Sequence, residues 1–402
     1  MKEKLIDKLN KNKSYIINLL ILIFKNNNIN AYLVGGAVRD LLLDKEVRDI
    51  DIAIEGDPQI VIKLTKEYLS SYSYHSQFYT ATLHFKNGES IDIIRCRKEI
   101  YPFYGSLPIV TPSSIHDDLY RRDFTLNAIA YNLLNNEIID NHFGIKDLFK
   151  GELKKVHKDS YLEDATRILR GIRYSQRYDF TLVDENEIVG CVKDGILKTI
   201  STDRMIKELC LICNEDKWKE CVMHLNALDI FNINYDLLGK VNPIENSYNN
   251  HIKMLNIFYA MNKKEDKEIF TKSSIVDKEL KIAMNKYLYE EDVECSLHLH
   301  KNNYNIYNLL KKTSYYYRII LAWNNKLQYK IINFEERLKD IQLSFDGNYI
   351  RGLSDIKGKE IGDIIEWIKK VKLCIGIKED KDYLKKHLGE IRDGVKYKDR
   401  KL

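Results

Sequence analysis

The chain has 402 residues, 44% of them hydrophobic and 31% charged, with a formal net charge of +5. This is a globular chain, too long for one ordinary core, and two or three domains are expected. The mildly basic balance permits a nucleic-acid partner without demanding one. The longest apolar run, 16–24, is broken by Asn18 and falls far short of the roughly 20 residues that span a bilayer. Lysines precede it, but Lys25-Asn26-Asn27-Asn28 follows in place of a small-residue cleavage site. It reads as a first amphipathic helix, with no membrane partner. Seven scattered cysteines argue for reduced thiols and a cytoplasmic location. The single C-x-x-C, Cys210 to Cys213, lies in an apolar helical pattern with no second pair, and reads as buried helix face.

In chain order, Ala31–Val34 reads as a strand, 37–43 as a short helix, Ile50–Ile54 as a strand and 60–70 as a helix. Residues 81–85 and Ser90–Arg95 read as a hairpin around the Asn87-Gly88 turn. Strand signals return at 126–134 and 137–140, which makes this region α+β. From about 160 onward apolar residues recur at helical spacing. Helices are expected over 161–178 and Thr202–Cys213, then helix after helix to the end. The basic end, 378–402, reads as a solvated helix face or a nucleic-acid contact.

Four stretches carry chemistry. Gly35 and Gly36 stand between a strand and a helix, where glycine lets a phosphate approach free amides, and Arg39 adds a charged fork. A plain turn fits the glycines equally well. Asp49 and Asp51 alternate with Ile50 and Ile52, so on a strand both carboxylates share one face. Two such acids repel unless a cation sits between them, and hard oxygen ligands suit Mg²⁺. Asp92, in another strand pattern, is the candidate third carboxylate of a two-metal site.

The third stretch runs Asp118-Leu119-Tyr120-Arg121-Arg122-Asp123-Phe124-Thr125-Leu126-Asn127. Its paired arginines beside Asp123 can hold a triphosphate and a ribose hydroxyl, or form a salt-bridge cluster at a helix entry. The fourth runs from Glu163 to Tyr174. Asp164 and Arg167 are three apart, neighbours on one helix surface, with Arg170 and Arg173 continuing the stripe. Asp accepts and Arg donates. Together they complement an amino donor beside a ring-nitrogen acceptor, the edge of cytosine or adenine but not of guanine or uracil. An ion pair with a solvated basic face is the plainer reading.

The motifs at 33–40, 49–52, 95–101 with Leu107-Pro108, 118–128, 163–174 and 202–208 stand in an order that resembles the class II tRNA nucleotidyltransferases, the CCA-adding family that also contains bacterial poly(A) polymerases. The resemblance is strong over 30–215, with a weaker match at 347–376. It implies an α+β fold, with a polymerase β-like nucleotidyltransferase palm sheet in a head at 1–145. A helical neck at 146–215 that selects the base would follow, then a helical body and tail at 216–402 that bind RNA. It implies that Asp49 and Asp51 hold catalytic metals with Asp92 as third acid. Gly35, Gly36, Arg39, Arg121, Arg122, Asp123 and Asn127 would bind nucleotide. Asp164 and Arg167 would read the base, and Arg170 and Arg173 would extend the contact.

The activity implied is template-independent, Mg²⁺-dependent transfer from CTP or ATP to the 3′ end of tRNA, adding CCA, CC or only A. No protein partner is evident. A poly(A) polymerase is the sibling alternative, but Ser76-Gln77-Phe78-Tyr79-Thr80-Ala81-Thr82 lacks the arginines of the Gly-Arg-Arg/Lys-Phe motif typical there. A non-catalytic RNA-binding protein and a small-molecule nucleotidyltransferase are the alternatives of other kinds. Residues 101–116 contain the flexible region expected to govern switching between CTP and ATP. Ala165 stands where relatives often have proline, and no His-Asp phosphohydrolase signature is visible in the C-terminal half.

Overall fold

A computed structural model of the chain describes residues 5–290, 292–356 and 358–396. It divides into two compact units, Met1–Ile233 and Asn234–Leu402. The first opens on α1 (Lys11–Asn26), capped by the Asn10 side chain, which accepts the Lys13 amide. Next come β1 (Ala31–Val34), α2 (Gly36–Leu42), β2 (Ile50–Ile54), α3 (Pro58–Thr65), β3 (Leu69–His75), β4 (Thr80–Phe85) and β5 (Ser90–Arg95). The paired strands β6 (Arg97–Ile100) and β7 (Ile109–Pro112) lead to α4 (Ile115–Tyr120), β8 (Ala130–Asn132) and β9 (Ile138–Ile139).

Seven strands form one sheet in the order β3-β4-β5-β2-β1-β8-β9. Only β2 and β5 run parallel in it, with Asp51 opposite Asp92. Alternation along β2 sends Ile50, Ile52 and Ile54 into a core under α1, shared with Ile16, Ile17, Leu20 and Phe24. The opposite face packs Val34 and Ala53 against Ile115 and Leu119 of α4. Asp51 therefore projects on the α4 side, in register with Val34.

The strands at Ala31–Val34 and Ile50–Ile54 and the Asn-Gly hairpin form as expected, with Gly88 at φ +90°. The helix expected over 60–70 stops at Thr65, and Leu69–His75 becomes an edge strand. Its Ser-Ser-Tyr-Ser-Tyr sequence offers no buried alternation, because most of the strand faces solvent.

The helical remainder of this unit comprises α5 (Gly144–Lys150), then, after the short strand β10 (Glu152–Leu153), α6 (Ser160–Glu163) and α7 (Thr166–Tyr178). After β11 (Thr181–Leu182) come α8 (Glu185–Lys193), α9 (Thr202–Cys213) and α10 (Trp218–Ala227). On α9, Cys213 is buried and Cys210 half-buried, and all seven cysteines are free thiols.

Among the described residues, the named elements of the second unit are all helices, beside one isolated antiparallel bridge between Asn242 and Ser247. Its C-terminal core joins Ile350, Ile361, Ile364 and Ile368 to Leu384 and Ile391. The helix Asp380–Lys396 thus buries one side of the basic end, while 397–402 lie outside the described residues. No described helix is long and apolar enough to cross a membrane.

Leu20 is fully buried on α1 and Leu22 is 60% exposed. Leu20→Ala is expected to destabilise the protein by about 3 kcal/mol, and Leu22→Ala by less than about 0.5 kcal/mol. Urea denaturation of the two variants checks the contrast.

Candidate active site

The head sheet presents a tight strand-to-helix turn beside its acids. Gly35 adopts φ +65°, and a Cβ there would lie 2.9 Å from Arg122 Nη1 and 3.9 Å from Asp51 Oδ2. Both the backbone and the crowding require glycine. Arg39 is buried rather than free. Its Nε donates to Asp40 Oδ1 at 2.9 Å and its Nη1 to Asn127 Oδ1 at 2.6 Å, while the guanidinium lies 4.6 Å above the Tyr178 ring.

Asp49 and Asp51 both line a cleft of about 1510 Å³, as do Gly35, Gly36 and Arg39. Burial pushes the Asp51 carboxyl up to about 6; Arg122 opposes that, and Asp92 and Asp49 add to it. Negative charge is thus costly there until a cation arrives. Asp92, opposite Asp51 in the sheet, accepts from Thr82 Oγ1 at 2.6 Å and is not among the lining residues. Among the described residues, no three His, Cys, Asp or Glu side chains gather as a ready-made metal cage.

The arginine motif is anchored from behind. Asp118, fully buried on α4, accepts from Arg121 Nε and Nη2 at 3.0 and 2.8 Å and from Arg122 Nη2 at 2.9 Å. Burial alone would raise the Asp118 carboxyl, but the two guanidiniums outweigh it and hold it below the usual range. Glu99 on β6 accepts from Arg97, from Arg121 Nη1 at 3.2 Å and from the Tyr101 hydroxyl at 2.8 Å. Arg122 Nε is buried with no hydrogen-bond partner among the described residues.

Asp123 ties the head to α7. It accepts from Asn127 Nδ2 at 2.9 Å, and from Arg170 Nε and Nη2 at 2.8 and 2.7 Å. Burial favours its neutral form, yet Arg170, Asn127 and the Phe124 amide bring it down to about 2.

The helix expected over 161–178 is broken. α6 ends at Glu163, Asp164 is extended at φ −143°, and α7 begins at Thr166. Asp164 and Arg167 are therefore not i, i+3 partners on a helix face. The reason is local: the Asp164 carboxylate caps the new helix by accepting the Thr166 amide at 2.9 Å. Arg167 is buried and donates to Ser160 Oγ at 2.8 Å and to the Arg121 carbonyl at 2.9 Å. Both residues still line the cleft, with Arg170. Arg173 does not. It is buried beside Glu208 and Glu215, at 3.6 and 3.4 Å, while Arg177, one turn further on, lines the cleft.

Glu99, Tyr101, Asp118, Tyr174 and Glu208 escaped the sequence reading as site residues. Asp118 had a signal, since it stands three and four residues before Arg121 and Arg122. Glu99 and Glu208 stand within the motifs at 95–101 and 202–208, but Arg121 and Arg173, the arginines they meet across the fold, are distant in the chain.

A palm sheet with two acids, an anchored arginine pair and a helical wall beyond them defines a nucleotidyltransferase-type head. Residues 31–154 match the poly A polymerase head domain. An A-adding tRNA nucleotidyltransferase of Aquifex aeolicus is 30% identical over 380 residues, covering 85% of this chain and 44% of that protein. A CC-adding tRNA nucleotidyltransferase of Deinococcus radiodurans is 38% identical over 189 residues, 46% of this chain and 50% of that one. The apo form II structure of a CCA-adding enzyme superposes with a TM-score of 0.77 at 25% identity, covering 96% of this chain and 97% of its own. The chain is thus similar over most of its length to tRNA nucleotidyltransferases, and its residues 31–154 carry a head of the poly A polymerase type. It spans about half or less of the length of these curated relatives.

The depressed Asp123 carboxyl contributes stability above its unfolded value, about pH 4. That contribution is lost as the pH falls toward 2. Asp123→Asn is expected to melt below the wild type at pH 7, with the gap narrowing toward pH 2, as thermal melts across that range would record.

Proposed function

We propose that this protein transfers a nucleotidyl group from CTP or ATP to the 3′ end of tRNA, without a template and with the help of divalent metal. The observation that carries the reading is one cleft lined by Asp49, Asp51, Arg121, Arg122, Asp164 and Arg167. The relatives' names supply the acceptor and the nucleotides: A-adding and CC-adding enzymes act on tRNA.

The acids fit a hard cation, because Asp51, buried and close to Asp92 and Asp49, resists carrying its charge. Asp49 and Asp51 would hold it, with Asp92 in support, and Mg²⁺ is the ion we favour. Bound there, it would supply charge neutralisation for the triphosphate and acidify the attacking hydroxyl. Gly35 leaves backbone room beside the acids. Arg121 and Arg122, fixed by Asp118, would receive the triphosphate without reorganising. Asp123 and Asn127 would keep Arg170 and Arg39 in place along the ribose side. Asp164 and Arg167 would meet the base edge, the wrong base leaving a polar group unpaired.

We assign the head to 1–145 and the neck to 146–215, with a body and tail at 216–402 that grip RNA by shape and backbone. The free thiols suit a cytoplasmic enzyme.

Offered a tRNA ending at the discriminator base and another ending in CC, the protein should incorporate CTP or ATP and neither GTP nor UTP. Which labelled nucleotide enters which substrate separates CCA, CC and A addition. Asp51→Asn should lower incorporation by about a thousandfold while leaving tRNA binding within about twofold. Equal incorporation by Asp51→Asn and wild type would refute the reading.

A further inference from the structure

Three donors converge on a single oxygen of Asp164. Thr166 gives its amide at 2.9 Å and its hydroxyl at 2.6 Å, and Arg204 Nη2 approaches to 2.7 Å, all on Oδ1. Among the described residues, none donates a hydrogen bond to Oδ2. The other arm of Arg204, Nη1, donates to the Gly105 carbonyl at 3.3 Å. Gly105 is itself fastened, its amide 3.2 Å from the carbonyls of Leu162 and Glu163. It adopts φ +72°, and a Cβ would fall 2.2 Å from Thr199 Oγ1, so the backbone there has one seat.

Arg204 lies in the first turn of α9, where the Ser201 hydroxyl caps its amide. A cation at that end opposes the helix dipole, so the position calls for a compensating partner. Arg204 does not line the cleft. It reaches the cleft only through Asp164.

We propose that Arg204 is a positioning residue for base selection. With Thr166 it immobilises Oδ1 of Asp164 and presents Oδ2 as the one acceptor for the exocyclic amino group of cytosine or adenine. The inference rests on the reading that Asp164 meets the base. A carboxylate held at one oxygen discriminates donors from acceptors in a single direction. A freely rotating carboxylate exchanges its two oxygens and tolerates water or a shifted base in place of the amino group.

The test compares wild type, Arg204→Gln, Arg204→Lys and Thr166→Val, each as the full chain on one tRNA substrate. The readout is kcat/KM for CTP, ATP, GTP and UTP. Arg204→Gln should lower the preference for the favoured nucleotide over GTP and UTP by about tenfold or more. Thr166→Val should lower it less, and Arg204→Lys, whose ammonium can still reach Oδ1, should recover part of it. A purely structural role would depress all four nucleotides alike and leave the ratio unmoved, and that result overturns the proposal. Thermal melting accompanies each variant. Should Arg204→Gln not fold, an unchanged ratio in both Thr166→Val and Arg204→Lys overturns it equally. A wild type indifferent to the base would instead sink the underlying reading of Asp164, and this one with it.

Discussion

The cleft depends on a carboxylate removed from water. Asp118 is fully buried, and its charge is tolerable only because two guanidiniums meet it. Such an arrangement gains little net stability, since desolvation offsets much of the attraction. What it provides is position. Arg121 and Arg122 are fixed on the face of the sheet that carries Asp51, with Glu99 bracing Arg121 from a second strand. Without that anchor, two mobile cations would sit beside two acids and neutralise them, and the cleft would lose its separation of charge.

The same logic recurs along the wall of the cleft. Arg170 is paired with Asp123, Arg39 with Asp40 and Asn127, Arg173 with Glu208 and Glu215. Each guanidinium is oriented by a partner behind it. Gly35 admits the close approach of Arg122 to the turn, which no side chain would allow. The acids at the centre are treated differently. Asp51 is raised by burial and by its neighbouring carboxylates, and only Arg122 offsets this. Paired arginines around an underpaired acidic centre are the charge arrangement on which the proposed function rests.

Much of this was legible in one dimension. Asp49 and Asp51 follow the period of a strand, and the isoleucines between and beyond them enter the core as that period requires. The Asn-Gly hairpin formed because its turn chemistry is local. The edge strand Leu69–His75 was hidden, since its partner supplies the order and solvent covers most of it. The break at Asp164 was hidden for a related reason. An aspartate before a threonine can continue a helix or cap one, and the capping bonds are joined by Arg204, forty residues away.

Sequence by itself determined the residue types that we propose meet a nucleotide: the acid pair, the glycine turn, the paired arginines and the Asp-Arg set, because spacing along strands and helices is a local property of the chain. Only the tertiary structure decided which of them face the cleft. Arg173 turned inward to Glu208 and Glu215, Asp92 stayed with Thr82 outside the lining, and Asp164 gave one oxygen to Arg204. Those outcomes follow from desolvation. A buried charge must find its partner, and the partner's place in space is set by the packing of the whole unit.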